Sequence, residues 1–274
     1  PRTLVRDWGS GRSDRSVTIV SLETGEILWR FQHPSDLEVV DPSVMPPLVD
    51  RPPLTAPMTG APVPFPGLPG QTSSRVFLGD ADGRLWAINF AGAVPSPWWS
   101  MELVWDASRD LESEVATEVV RAGSVELPPV VSVDDNGNAV VVFATGDQET
   151  FHEPIGTNFV VSLRDEVLDP TAEGYALNWS LDLSDNATTG WDQVGGGGTP
   201  GQRVTGPLNL FDGVVYFATF VPSTTPCEIG AARIWGVHYI ESDLGAPAPR
   251  FLNPLSPADP PRHFIHEEES IIFG

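Results

Sequence analysis

Three short apolar segments recur in one order along this chain, and that recurrence limits the possible folds more than any single motif does. The copy easiest to read is Arg203 to Leu244, RVTGPLNLFDGVVYFATFVPSTTPCEIGAARIWGVHYIESDL. Thr205-Gly206-Pro207-Leu208 opens an apolar edge, and Asp212-Gly213 supplies the pair of residues that a tight hairpin requires. Val214 to Phe220 is a β-branched and aromatic run, and Ile234 to Tyr239 is another. The unit reads as three consecutive strands.

Earlier copies align with it. The third strand recurs as VTIVSL (17–22), LWAINF (85–90), FVVSL (159–163) and IWGVHY (234–239), so that Leu22, Phe90, Leu163 and Tyr239 follow at intervals of 68, 73 and 76 residues. The second recurs as VFLGD (76–80), VVFATG (141–146) and VYFATF (215–220), which aligns Phe77 with Phe143 and Phe217. The first recurs as Ala61-Pro62-Val63, Leu127-Pro128-Pro129-Val130-Val131 and Gly206-Pro207-Leu208. A fourth, outer strand ends each unit with a tryptophan: Trp29 in TGEILWRF, Trp105 in MELVW and Trp179 in YALNWSL.

A repeated unit that cannot cover its own faces must stack on its neighbours. Four-stranded sheets repeated radially make a β-propeller, so the expected fold is all-β, a propeller of four-stranded antiparallel blades with long inserted loops. The interval of about 70 residues exceeds the roughly 40 to 50 of compact blades, which is why insertions are needed. The expected layout is a partial blade at 17–31, blades at about 55–105, 126–183 and 203–245, and the start of another strand at 270–274. That layout predicts a partial ring, part of one domain in a longer chain.

Between the strands, residues 1–16 read as a charged Gly/Ser-rich loop, and Glu23-Thr24-Gly25 turns the first hairpin. Proline recurs through 34–74 and again at 245–262, and forbids interior strands and helices there. Residues 106–121 carry the best helical pattern, with Leu111, Val115 and Val119 four apart. Residues 147–157 read as a loop, and 184–202 as a flexible linker.

The net charge is -22, with 15 basic residues, all arginine, against 37 acidic ones. Such a surface repels nucleic-acid phosphates and an anionic membrane face, so nucleic acid is excluded as a partner class. The apolar runs are of strand length, and no membrane span is expected. A lone Cys227 makes no internal disulfide; it pairs outside this sequence or stands as a free thiol.

No catalytic, cofactor or metal residue is assigned. Gly195 to Gly198 lacks the Gly-Lys-Ser/Thr ending and the strand-to-helix setting of a phosphate loop. His263 and His266 with Glu267, Glu268 and Glu269 are metal-ligand types without the His-Glu-x-x-His order. Asp80-x-Asp82-Gly83 and Asp134-Asp135-Asn136-Gly137-Asn138 offer oxygens for a hard cation, yet neither reaches a bidentate Glu, and hairpin chemistry explains both. No Gly-x-Ser-x-Gly elbow is present. Trp86 and Trp235 are expected to pack between blades. The Trp98-Trp99 pair suits either partner contact or packing.

The Thr-Gly-Pro, Phe-Ala-Thr and Cys-x-x-Gly series at 205–230, with VFLGDADGRLWAINF and TGEILWRF, resembles the C-terminal propeller of PilY-type adhesins of the type IV pilus tip. The match runs from Val17 to about Leu244. More loosely, the Thr-Gly-x-x-x-Trp at 24–29 is similar to the quinoprotein-like repeat. The resemblance implies a bacterial surface protein, exported through the periplasm to the pilus tip. Its partners would be minor pilins, a host or surface receptor, and the remainder of its own parent chain, in pilus assembly, cell adhesion and twitching motility. It also implies a calcium loop of alternating aspartates, which this sequence does not contain.

Two other classes compete. A quinone-dependent dehydrogenase needs a funnel of basic and aromatic groups, a calcium and commonly adjacent cysteines, and this sequence has one cysteine. A periplasmic scaffold propeller has compact blades, whereas these insertions of 30 residues or more favour surface recognition, with the insertion at 34–74 and the loops at 147–157 and 221–232 expected to present the contacts.

Overall fold

The computed structural model describes residues 15–32, 54–67, 70–90, 99–107, 122–149, 157–165, 174–183, 201–223 and 230–240. The rest of the helical pattern at 108–121, Trp98, Gly195 to Gly198, Cys227, His263, His266, Glu267 to Glu269 and the strand start at 270–274 lie outside these residues.

The described elements are all β. The first sheet pairs β1 (Ser16–Val20) with β2 (Ile27–Gln32). The second is β3 (Val63–Phe65), β4 (Arg75–Gly79), β5 (Leu85–Asn89) and β6 (Ser100–Trp105). A third contains β7 (Val130–Val133), β8 (Ala139–Ala144), β9 (Phe159–Asp165) and β10 (Tyr175–Asp182), and a fourth β11 (Arg203–Phe211), β12 (Val214–Val221) and β13 (Ala231–His238). Within each sheet the strands lie in chain order, and every pairing is antiparallel. Each sheet is therefore a simple meander, and the second and third are the four-stranded units that the repeats imply.

Successive side chains of a strand point to opposite faces, so a strand covered on both sides must be apolar throughout. β8, AVVVFA, is buried at all six positions. Val141 and Phe143 face the second sheet, where they meet Phe77, Leu85, Ala87 and Trp105. Val142 and Ala144 face the fourth, against Val204, Val215, Phe217 and Trp235. A third cluster joins the first sheet to the second, with Val17, Ile19, Trp29 and Phe31 against Leu78, Trp86, Ile88 and Met101. The four sheets thus pack face to face in chain order.

These clusters correct one part of the sequence alignment. Phe143 and Phe217 point back to the preceding sheet, but Phe77 points forward, into the cluster shared with the third sheet. Trp86 pairs with Leu78, and Trp235 pairs with Phe217. Leu78, not Phe77, is therefore the counterpart of Phe217. Strand alternation is the reason: a shift of one residue moves a side chain to the other face, and two adjacent apolar residues conceal it.

Other expectations change in detail. Leu22 lies beyond β1, fully exposed in the turn. The Gly206-Pro207-Leu208 segment forms a bulge within β11, between the pairs Thr205 with Ala218 and Asn209 with Tyr216. It drops Leu208 into the core between the third and fourth sheets. Asp212-Gly213 is a two-residue hairpin with φ of 50° and 76°, the left-handed pair that a type I′ turn requires.

The outer-strand tryptophans follow the repeat unevenly. Trp105 and Trp179 are buried, while Trp29 is only half-buried, stacked on Phe31 with ring centroids 6.1 Å apart. Trp29→Ala is expected to cost about 1 to 2 kcal/mol, less than a fully buried ring would. Urea unfolding of the variant checks this, and a cost equal to that of the buried tryptophans would contradict the half-exposed placement.

Candidate functional site

Strand directions place the longest connections on one side. In every sheet the first and third strands of the repeat begin, and the second and fourth end, on one side. The connections between sheets at 33–62, 106–129 and 183–202 all start and finish there, as do the links at 145–158 and 222–230. The opposite side holds the hairpins at 134–138 and 212–213 and the links at 66–74, 90–99 and 166–174, none longer than the 145–158 link. The sequence expectation that recognition loops lie at 34–74, 147–157 and 221–232 thus becomes a geometric one. Their described anchors share one end of the array, except for the link between β3 and β4 at 66–74.

At this end the sheets converge on a seam of glycines and buried polar groups. A side chain on Gly79 would overlap Val125, one on Gly123 would meet Asn158, and one on Gly146 would meet Arg203. Backbone bonds tie the segment leading into β7 to both flanking sheets, from the Val125 amide to the Asp80 carbonyl of the second at 2.9 Å and from the Gly146 amide of the third to the Ser124 carbonyl at 2.8 Å. Asn158 continues the line, donating from Nδ2 to the Gln202 carbonyl at 2.8 Å. Arg203 donates to the carbonyls of Gly201 and Asp147, and Gln148 to that of Val204. Buried backbone without such partners would be costly, and here each connection leaves from hydrogen-bonded anchors.

The two Phe-Ala-Thr segments gain a physical role. Thr145 and Thr219 are both buried at this end. Thr145 Oγ1 accepts the Phe159 amide at 2.8 Å, closing the base of the 145–158 connection. Thr219 Oγ1 accepts the Trp235 indole N–H and the Gln202 side-chain amide, both at 2.8 Å. Trp86 makes the parallel bond to Asp80 Oδ2 at 2.8 Å. Trp86 and Trp235 are almost wholly buried and pack toward the preceding sheet.

Both aspartate loops are hairpin turns of one design. Asp80 Oδ1 accepts the amides of Asp82 and Arg84 at 2.9 and 3.0 Å, and Asp134 Oδ1 those of Asn136 and Asn138 at 2.9 and 2.8 Å. Gly83 and Gly137 take φ of 80° and 85° at matching places. Asp80 closes the turn between the second and third strands of its sheet, at the loop-bearing end. Asp134 closes the turn between the first and second strands of the next, at the hairpin end. Arg84 binds Asp106 Oδ2 at 2.6 Å and neighbours Asp82 at 3.5 Å. Among the described residues no three His, Cys, Asp or Glu groups come together to hold a metal ion.

Burial pushes the Asp80 carboxyl up to about 6, against the pull of the Trp86 indole, the Arg84 amide and the Arg84 charge. The folded state therefore holds this proton more tightly than the unfolded chain, whose carboxyl titrates near 3.8. The contribution of Asp80 to stability is expected to rise as pH falls from 7 through 6 toward 4, by roughly 3 kcal/mol. Asp80→Asn removes the titration, so unfolding midpoints of the two proteins between pH 4 and 7 should diverge. Parallel profiles would contradict the burial argument. Asp134 behaves oppositely: partial burial opposes ionisation, but bonds from Asn138 and Asn136 hold its carboxyl below the usual range.

At the hairpin end, a second network ties the second sheet to the third. Arg75 forms an ion pair with Asp165 and donates to the Tyr175 hydroxyl at 3.0 Å, and that hydroxyl lies 3.4 Å from Glu102. Burial raises the Tyr175 phenol to about 12. The network is read as a structural staple.

The sequence reading missed the seam residues Asn158, Gln202 and Arg203. It contained signals for part of the seam: Gly79 and Gly146 lie in the second-strand segments VFLGD and VVFATG, and the Phe-Ala-Thr pairs end in the threonines that anchor there. Trp99 is buried against Phe90, with ring centroids 4.9 Å apart, which favours packing over partner contact for this member of the pair. Among the described residues no helix is long and apolar enough to cross a membrane. No protein-family model matches the chain, and no curated protein does.

Proposed function

We propose that the chain is an arc of a β-propeller and serves as a non-enzymatic recognition module of a type IV pilus tip-associated protein. The observation that carries the recognition reading is the gathering of the long connections at one end of a rigid sheet array, above a hydrogen-bonded seam. Binding residues concentrate on long loops over rigid scaffolds, because the scaffold fixes the anchors while the loops are free to vary. The pilus assignment rests on the PilY-like strand series. In this reading the partners are minor pilins and a host or surface receptor. The protein is exported through the periplasm and acts outside the cell in pilus assembly, adhesion and twitching motility.

Further blades of the parent polypeptide complete the ring. Val20 and Ile27 on the first sheet are 47% and 57% exposed, and Ile234 on the fourth is 52% exposed. The exposed apolar face of the fourth sheet suits cover by a sheet of the same kind, while on the first sheet the exposed Val20 and Ile27 sit beside the polar pair Thr18 and Arg30.

The test is imaging of labelled protein on piliated cells, with the gene deleted in parallel. Label at pilus tips, together with lost piliation, adhesion or twitching on deletion, is the expected result. Label confined to the periplasm, or a deletion that leaves all three unchanged, would overturn the pilus assignment in favour of an envelope scaffold.

A further inference from the structure

We draw no further inference here: the strongest candidate, the outward apolar face of the fourth sheet around Tyr216 and Ile234, belongs to the ring-completing reading already proposed, and nothing in the structure shows a separate partner that covers it.

Discussion

Replacing Trp105 with alanine is expected to destabilise the protein by about 3 to 5 kcal/mol. The ring is 1% exposed and lies between the second and third sheets, edge-on to Phe143 at 5.2 Å and Phe159 at 6.0 Å. Removing it leaves a cavity that neither sheet can fill without moving strands fixed on both faces. The loss comes from transfer of the ring to water, from the void, and from two aromatic contacts. Denaturant unfolding measures it, and a double-mutant cycle with Phe143→Ala separates the shared part. Strict additivity would mean that the two sheets do not pack through this pair.

The second large effect acts in the opposite way, by overfilling. Gly79→Val places a branched side chain where Val125 and its carbonyl already sit, at the junction of the second and third sheets. Relief would need movement of the segment whose Val125 amide bonds to Asp80. A cost of about 3 kcal/mol or more is expected. Gly137→Ala is the control, since its site is open and only its φ of 85° opposes the change. If Gly79→Val proved as mild as that control, close approach of the sheets at the seam would be wrong.

Much of the strand layout was legible because it depends on patterns the chain repeats. The short, β-branched apolar run AVVVFA between turn residues fits a strand covered on both faces, and Asp212-Gly213 suits few structures besides a two-residue hairpin. Facing direction was harder to read. Phe77 and Leu78 are both large and apolar, so composition alone does not say which looks forward.

The seam was harder still. Asn158 and Gln202 are ordinary loop residues in the sequence, and they matter only because folding brings them together across a gap of 44 positions. Gly79 and Gly146 were visible as letters, but their reason is the proximity of Val125 and Arg203, which no local pattern encodes. The aspartate loops were legible as turns. Hairpin chemistry was the expectation for both, and Asp80 Oδ1 and Asp134 Oδ1 each accept two backbone amides of their own turn.

The central claim is that recognition belongs to the loop-bearing end, and selective obstruction tests it most directly. In a Cys227→Ser background, a bulky maleimide polymer is attached at Glu149→Cys, an exposed anchor at that end, or at Asn136→Cys, exposed in the turn at the hairpin end. Adhesion of piliated cells carrying each labelled protein is then measured. The account predicts at least a tenfold loss for the Glu149 label and no change for the Asn136 label. Equal losses at both sites, or a loss only at Asn136, would contradict it.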